Sequence, residues 1–318
     1  MNPNRIRFKV GLEPATGSIF QPTGFPDVGS ATFSRPTTDG TTEECLLVES
    51  AQSMANHLEG VGWNDAAQEP TDQLAGLPWV RVVAGDDGRF LTSSRLEAHR
   101  LASAFVKDST LEGSSMKQVI RERLDLRDDT PLDHRAIARG IFALDPLCLV
   151  HGVFFAEAAS VWPGQPKIAR AITALVEATD VRPVNSGGVK RDVVLHKAGE
   201  GTTAEGGYGS IPFHRQEFTA RSIMLYVSID RLQFQSYGLG AAAADLLEAI
   251  ALWEIRTLLD QGLRLRTACD LDPLDVPDEL ADAEALAARI ADGVAGCADQ
   301  LGAGGPLDVV WSRPVKGT

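Results

Sequence analysis

Apolar side chains recur along this chain with two periods, and the switches between them mark its elements. Arg5-Ile6-Arg7-Phe8-Lys9-Val10 alternates basic and apolar positions, which predicts a strand with one buried and one wet face. That wet face is open to two readings, a solvated sheet surface or a strip turned toward a polyanion. Ala51, Met54, Ala55 and Leu58 fall at i, i+3, i+4 and i+7, so a helix is expected after Glu49 with Ser50 as its N-cap. Between the two lies a stretch from Pro14 to Thr42 dominated by Gly, Pro, Thr and Ser. Loops of that length are usually functional or disordered. Phe20, Phe25 and Phe33 would tether this one, which favours an ordered functional loop.

Residues 61 to 140 read as mainly helical, with helices beginning near Ser94, near Ser115 and after Asp133. The run DPLCLVHGVFFAE, 145 to 157, reads as a buried strand, and residues 168 to 178 as an amphipathic helix. A strand over 189 to 195 leads into KAGEGTTAEGGYGS, whose glycines predict a hairpin tip. FTARSIMLYVSIDRLQF reads as one long strand. Residues 241 to 262 form the strongest helical pattern, closed by Gly262. LRLRTACDL and PLDVVWSR supply late strands on either side of an Ala/Asp-rich helical stretch. There is no internal repeat. The order of elements predicts a single α+β unit over 1–318 with an antiparallel core, and the ferredoxin-like βαββαβ arrangement matches it best.

Composition adds bounds. Apolar residues make up 44% and charged residues 23% of the 318, ordinary for a globular protein. No apolar run reaches the length of a membrane span, and MNPNRIRFKV has no signal-peptide core, so a cytoplasmic protein without a membrane partner is expected. Four scattered cysteines without a C-x-x-C pair argue against zinc and a disulfide framework. The net charge of -13 opposes a polyanion at long range. Yet residues 181 to 235 carry seven basic against five acidic side chains, a local +2 that leaves -15 elsewhere. A polyanion has one favourable strip.

Catalytic motifs are missing from the sequence: no G-x-S-x-G, no H-E-x-x-H, no phosphate-binding P-loop. GAGG at 302 to 305 reads as a turn, His151 as a satisfied core histidine, and His57 as solvated. No catalytic residue, metal site or cofactor is expected, and enzyme activity has no positive support. Three other constellations suit binding. The Ser50 helix opens with uncharged donors, Ser50, Gln52, Ser53 and Asn56; helix N-termini hold phosphate without needing a basic side chain. The plain alternative is capping by Ser50 beneath an exposed polar face. In VNSGGVKRDVV, Gly187 and Gly188 permit close backbone approach and Lys190 and Arg191 bring adjacent cations. In GYGSIPFHRQEFTA, Tyr208, His214 and Arg215 combine aromatic faces with donors, suited to unstacked bases. A charged turn and a packed strand entry are the respective alternatives.

Together, SAQSMANHLE after a strand and long loop, LDPLCLVHGVFF, SGGVKRD, GYGSIPFHRQEFTA and ALWEIRTLLDQGLRLRTACDLD resemble the CRISPR-associated backbone subunit of type I-U (I-G) surveillance complexes, in the RAMP superfamily. The resemblance runs from about Gly17 to Asp272. It implies a modified RNA-recognition-motif palm with helical insertions and a hairpin thumb near 185–217. It also implies a non-catalytic subunit that coats CRISPR RNA as a filament of further copies, beside other effector subunits, and offers the guide to target DNA. In the superfamily, S-x-Q-S opening the first helix is a guide-phosphate contact, here on Ser50, Gln52 and Ser53. Gln21 and Thr23 in the preceding loop join the expected RNA-binding set. Some RAMP relatives cleave RNA, which leaves a ribonuclease using Asp27 or His214 as the alternative.

Overall fold

The alternation in Arg5–Pro14 (β1) does make a strand: Val10 and Leu12 are buried, Ile6 and Phe8 pack against the core, and Arg5, Arg7 and Lys9 face out. The computed structural model describes residues 3–24, 29–192, 209–278, 280, 282–302 and 304–312. After β1 come Thr32–Pro36 (β2), Thr42–Glu49 (β3) and the helix Ala51–Gly60 (α1), which buries Met54, Ala55 and Leu58 as its spacing requires. An insertion follows, with strands Trp79–Ala84 (β4) and Phe90–Ser93 (β5) and helices Met116–Arg123 (α2), His134–Leu144 (α3) and Leu147–His151 (α4). The chain then returns through Ile172–Thr179 (β6), Arg182–Asp192 (β7), Gly209–Thr219 (β8) and Ser222–Asp230 (β9). Arg231–Ser236 (α5), Ala241–Gln261 (α6), Leu263–Arg266 (β10), Cys269–Pro273 (β11), Ala283–Gly296 (α7) and Pro306–Trp311 (β12) complete it.

The result is a mixed α/β architecture around a seven-stranded sheet of order β10-β11-β1-β9-β6-β3-β2, in which every neighbouring pair is antiparallel. β7 and β8 pair with each other as a two-stranded antiparallel hairpin between β6 and β9 in the chain, apart from the seven-stranded sheet. A five-stranded sheet holds the insertion: β4 lies between β5 and β12, and β12 pairs with β4 in parallel, so the last strand closes a sheet begun more than two hundred residues earlier. Arg81 and Asp308 form two hydrogen bonds across that pair, at 2.7 and 2.8 Å. On α6, the apolar face meets α7 closely enough that a Cβ on Gly293 would stand 2.9 Å from the Leu246 Cβ. Gly262, at φ +78, ends α6 as expected.

Five expectations fail locally. Residues 61–140 are not mainly helical, because β4 and β5 pair there as sheet and the Ser94 pattern resolves into the short turns Arg100–Ala102 and Ala104–Lys107. Residues 145–157 are not a strand: Pro146 starts the short α4, the Asp145 carboxylate accepts the Leu147 N–H at 3.1 Å, and Gly152 at φ +83 ends it. A short apolar run carries no periodicity to tell these states apart. Residues 172–179 are strand, not helix. Ile172, Ala174, Val176 and Ala178 are buried at period two, and strands on both sides override the helix propensity of Ala and Leu. The strand expected over 189 to 195 begins earlier, at Arg182, and is described as far as Asp192. The long strand over 218–234 breaks at Ala220-Arg221 and ends at Asp230, whose carboxylate caps α5.

A buried ionic cluster fixes α1 against the insertion. Arg100 bonds both Glu59 carboxylate oxygens at 2.5 Å and the Gly152 carbonyl at 3.0 Å. Arg95 meets Asp145 at 2.9 Å, and His151 on α4 meets Glu254 on α6 at 2.9 Å with both side chains fully buried. His151 is thus a core histidine, but not a fully satisfied one: Nε2 meets Glu254 while the buried Nδ1 has no partner among the described residues. Burial pushes the Glu254 carboxyl up, and His151 opposes the shift.

Candidate nucleic-acid interface

Ser50 caps α1. Its Oγ accepts the Ser53 N–H at 3.2 Å, and its carbonyl accepts the Met54 N–H at 2.9 Å. The capping alternative is therefore what the local geometry displays, and among the described residues the N–H groups of Ala51 and Gln52 are left as the unspent donors of the first turn. Gln52 and Asn56 are exposed one turn apart, and Ser53 is half-buried. Beneath the cap lies Glu49, fully buried, with one carboxylate oxygen accepting the Ser50 N–H at 3.1 Å and the other 3.6 Å from His57 Nε2. His57 is half-buried beside a carboxylate rather than simply solvated. When charged, Glu49 spends part of the helix-start field that an incoming phosphate would use.

The loop after β1 brings distant elements to this point. Phe20 pairs with Phe218 on β8, Gln21 N–H bonds the Ala268 carbonyl at 2.7 Å, and Thr23 gives both its N–H (2.9 Å) and its hydroxyl (2.8 Å) to the Val48 carbonyl. Val48 is bulged out of the β3–β6 ladder, which frees that carbonyl. Arg266 Nη1 braces the same loop at the Pro22 carbonyl, 3.0 Å. Within ten residues the loop thus joins the base of the hairpin, the β10–β11 turn and the strand that leads into Ser50. The Gln21 amide has no hydrogen-bond partner among the described residues. Behind the junction, burial and the nearby Glu49 charge push the Cys269 thiol up to about 12.

Gly187 stands opposite His214 in the hairpin ladder, Gly188 opposite Phe213, Lys190 opposite Ile211 and Arg191 opposite Ser210. Arg215 is exposed and opposite Ser186, three residues from the Phe218 that pins the base. Tyr208 and Asp27 lie outside the described residues. Gln21, Thr23 and Ser50 are therefore drawn into one junction, with the hairpin rooted in it.

Three contributors escaped sequence reading. Arg266 was visible only as half of the Arg264-x-Arg266 alternation. Glu49 gave no signal beyond preceding a cap. Arg170 bonds the Ala51 carbonyl at 2.9 Å, and its buried Nε has no partner. Burial, together with Arg100, pulls this guanidinium below its ordinary value, and no carboxylate among the described residues pairs with it. Nothing local in the sequence marks it. Among the described residues, no cluster of three or more His, Cys, Asp or Glu suits a metal, and no helix is long and apolar enough to cross a membrane.

Among solved structures, the chain is similar to "CRISPR RNA-guided surveillance complex, pre-nicking", at 13% identity and TM-score 0.38 over 93% of this chain and 88% of that one. It is also similar to Csc2 of Thermofilum pendens, at 11% identity and TM-score 0.33 over 93% and 76%. No curated protein matches. The family model described as CRISPR-associated protein GSU0053 matches residues 6–183. With more than half of its length matched, the chain belongs to this CRISPR-associated GSU0053 family.

Proposed function

We propose that the chain is a non-catalytic, RNA-binding backbone subunit of a type I-G surveillance complex, copies of which polymerise along CRISPR RNA and hold the guide for pairing with target DNA. The observation that carries this reading is the junction of Gln21, Thr23 and the Ser50 helix with the root of the hairpin. Thr23 and the Gln21 N–H are spent on holding the loop, so the donors offered outward are the Gln21, Gln52 and Asn56 side-chain amides and the Ser50 hydroxyl, groups that hold phosphate and ribose without regard to base identity. One such subunit can coat any guide and leave sequence reading to base pairing, as in other RNA-guided effectors.

The strand order supports a ferredoxin-like palm. β1, β6, β9 and β11 stand as β11-β1-β9-β6, the 4-1-3-2 order of a βαββαβ unit with α1 and α6 in its crossovers. In this reading the β7–β8 hairpin, inserted between the second and third of those strands, is the thumb. Gly187, Gly188, Lys190, Arg191, His214 and Arg215 lie along its two strands.

Purification after co-expression with a CRISPR array tests the reading. Bound guide RNA should raise the 260/280 nm absorbance ratio, and added salt should weaken RNA affinity through phosphate contacts. Protein that emerges free of nucleic acid, or affinity flat across salt, refutes it. Deleting residues 199 to 207 should weaken filament formation on the guide, and unchanged assembly would remove the thumb assignment.

A further inference from the structure

The basic alternation of β1 is not used by that junction. Residues 6, 8, 10 and 12 turn into the core, so Arg5, Arg7 and Lys9 occupy the opposite face of the sheet. On β9 the same face carries Met224, Tyr226, Ser228 and Asp230, because Ile223, Leu225, Val227 and Ile229 are buried. The register then builds rows. Lys9 stands opposite Tyr226, which stands opposite Leu175 on β6; Arg7 stands opposite Ser228, which stands opposite Thr173. Directly opposed side chains are about 5 Å apart at Cβ, and Arg7 and Lys9 about 7 Å apart along their strand.

Charge on this face is unevenly neutralised. Asp230 is held by Arg5 at 2.7 Å, and Glu43 by Arg35 at 2.9 Å and by Arg221. Arg7 and Lys9 are exposed and have no carboxylate partner among the described residues, in a chain whose net charge is -13. Glu177 lies one row beyond, opposite Met224, and disfavours an anion toward the β3 side. Tyr226 is half-buried on this outward face, directly across the β1–β9 pair from Lys9. An aromatic platform flanked by two uncompensated cations and small hydroxyls is what sequence-indifferent single-strand binding needs.

We infer that this open sheet face is a second contact for single-stranded nucleic acid, in which Tyr226 stacks on a base while Arg7 and Lys9 hold neighbouring phosphates. The inference rests on reading the chain as a nucleic-acid-binding protein. It assigns a site separate from the Ser50 junction.

Anisotropy titration of labelled oligouridylate and oligothymidylate with the full chain tests it and reports whether RNA or DNA is preferred. The double variant Arg7→Glu/Lys9→Glu should weaken binding at least tenfold and flatten the log–log salt slope by about 1.4, at ~0.7 per phosphate on a single strand. Tyr226→Leu should cost about five- to a hundredfold with the salt slope retained, and Tyr226→Phe should restore affinity. Unchanged thermal midpoints establish that the variants are folded. Wild-type affinity in the folded double variant and in Tyr226→Leu overturns the inference. If a Ser50→Asp variant alone then binds weakly, the junction reading survives without this face. Loss of self-association with oligonucleotide binding intact would make the face a protein contact, and also overturns it.

Discussion

Phe20 and Phe218, 198 positions apart, exchange both backbone hydrogen bonds: the Phe20 N–H to the Phe218 carbonyl at 2.9 Å, and the Phe218 N–H to the Phe20 carbonyl at 2.8 Å. Both rings are almost completely buried. The loop after β1 is thereby fastened to the foot of the hairpin before it reaches Val48. Phe20→Ala or Phe218→Ala should each cost about 3–5 kcal/mol by urea denaturation, through lost burial and a cavity. Each should also weaken guide RNA binding, because the loop that carries Gln21 and Thr23 loses its anchor.

Ser50 can be separated into its structural and its RNA-facing roles. Ser50→Ala removes the Oγ that accepts the Ser53 N–H and should lower stability by about 1 kcal/mol. Ser50→Asp keeps a capping oxygen and should leave the melting temperature near that of the parent. It brings a negative charge to the proposed phosphate contact, so RNA affinity should fall in Asp while stability does not. Equal affinity in the Asp variant and the parent would leave Ser50 a cap alone.

Arg100 and Glu59 form a largely buried pair with two 2.5 Å bonds. Arg100→Met should destabilise by about 3–5 kcal/mol, because it strands the Glu59 carboxylate and the Gly152 carbonyl. The double variant Arg100→Met/Glu59→Leu should recover much of that loss, as judged by chemical denaturation. Failure to recover would mean that the stranded Gly152 carbonyl, not the lost ion pair, carries the destabilisation.

Asp39 sits at the β2–β3 turn, where the Thr37 and Thr41 hydroxyls and the Thr41 N–H all donate to one carboxylate oxygen. These bonds hold its carboxyl at about 2, below the ordinary 3.8. A depressed folded value stabilises the turn above the unfolded value, and that contribution is lost as pH falls from about 3.8 through about 2. Carboxyl-carbon NMR titration should find the low midpoint, and Thr37→Val should move it upward. The side chain is exposed, so the effect on global stability should be small.

Burial governs the reactivity of the thiols. All four cysteines are free and buried. Cys269, raised to about 12, should resist alkylation at pH 8 in the folded chain and react once urea unfolds it. Rapid reaction in the native state would show that the β10–β11 turn opens away from the Gln21 loop.

Local patterns alone determined β1, α1 with its Ser50 cap, α6 with its Gly262 stop, the late strands and the α+β class. Each depends on periodicity, capping or turn chemistry within a few neighbouring residues, and these act whatever the rest of the chain does. Local patterns failed at residues 145–157 and 172–179, where apolar runs suit more than one state and sheet neighbours decide between them. The sequence pointed to Gln21, Thr23 and Ser50 but carried no sign that one carbonyl, that of Val48, would join their elements. Nor did it mark Arg170 or Arg266, whose roles come from carbonyls 119 and 244 positions away. Contacts of that span leave no local trace, since they are set by how a sheet of non-sequential strands folds the chain back on itself. Only the tertiary structure could supply them.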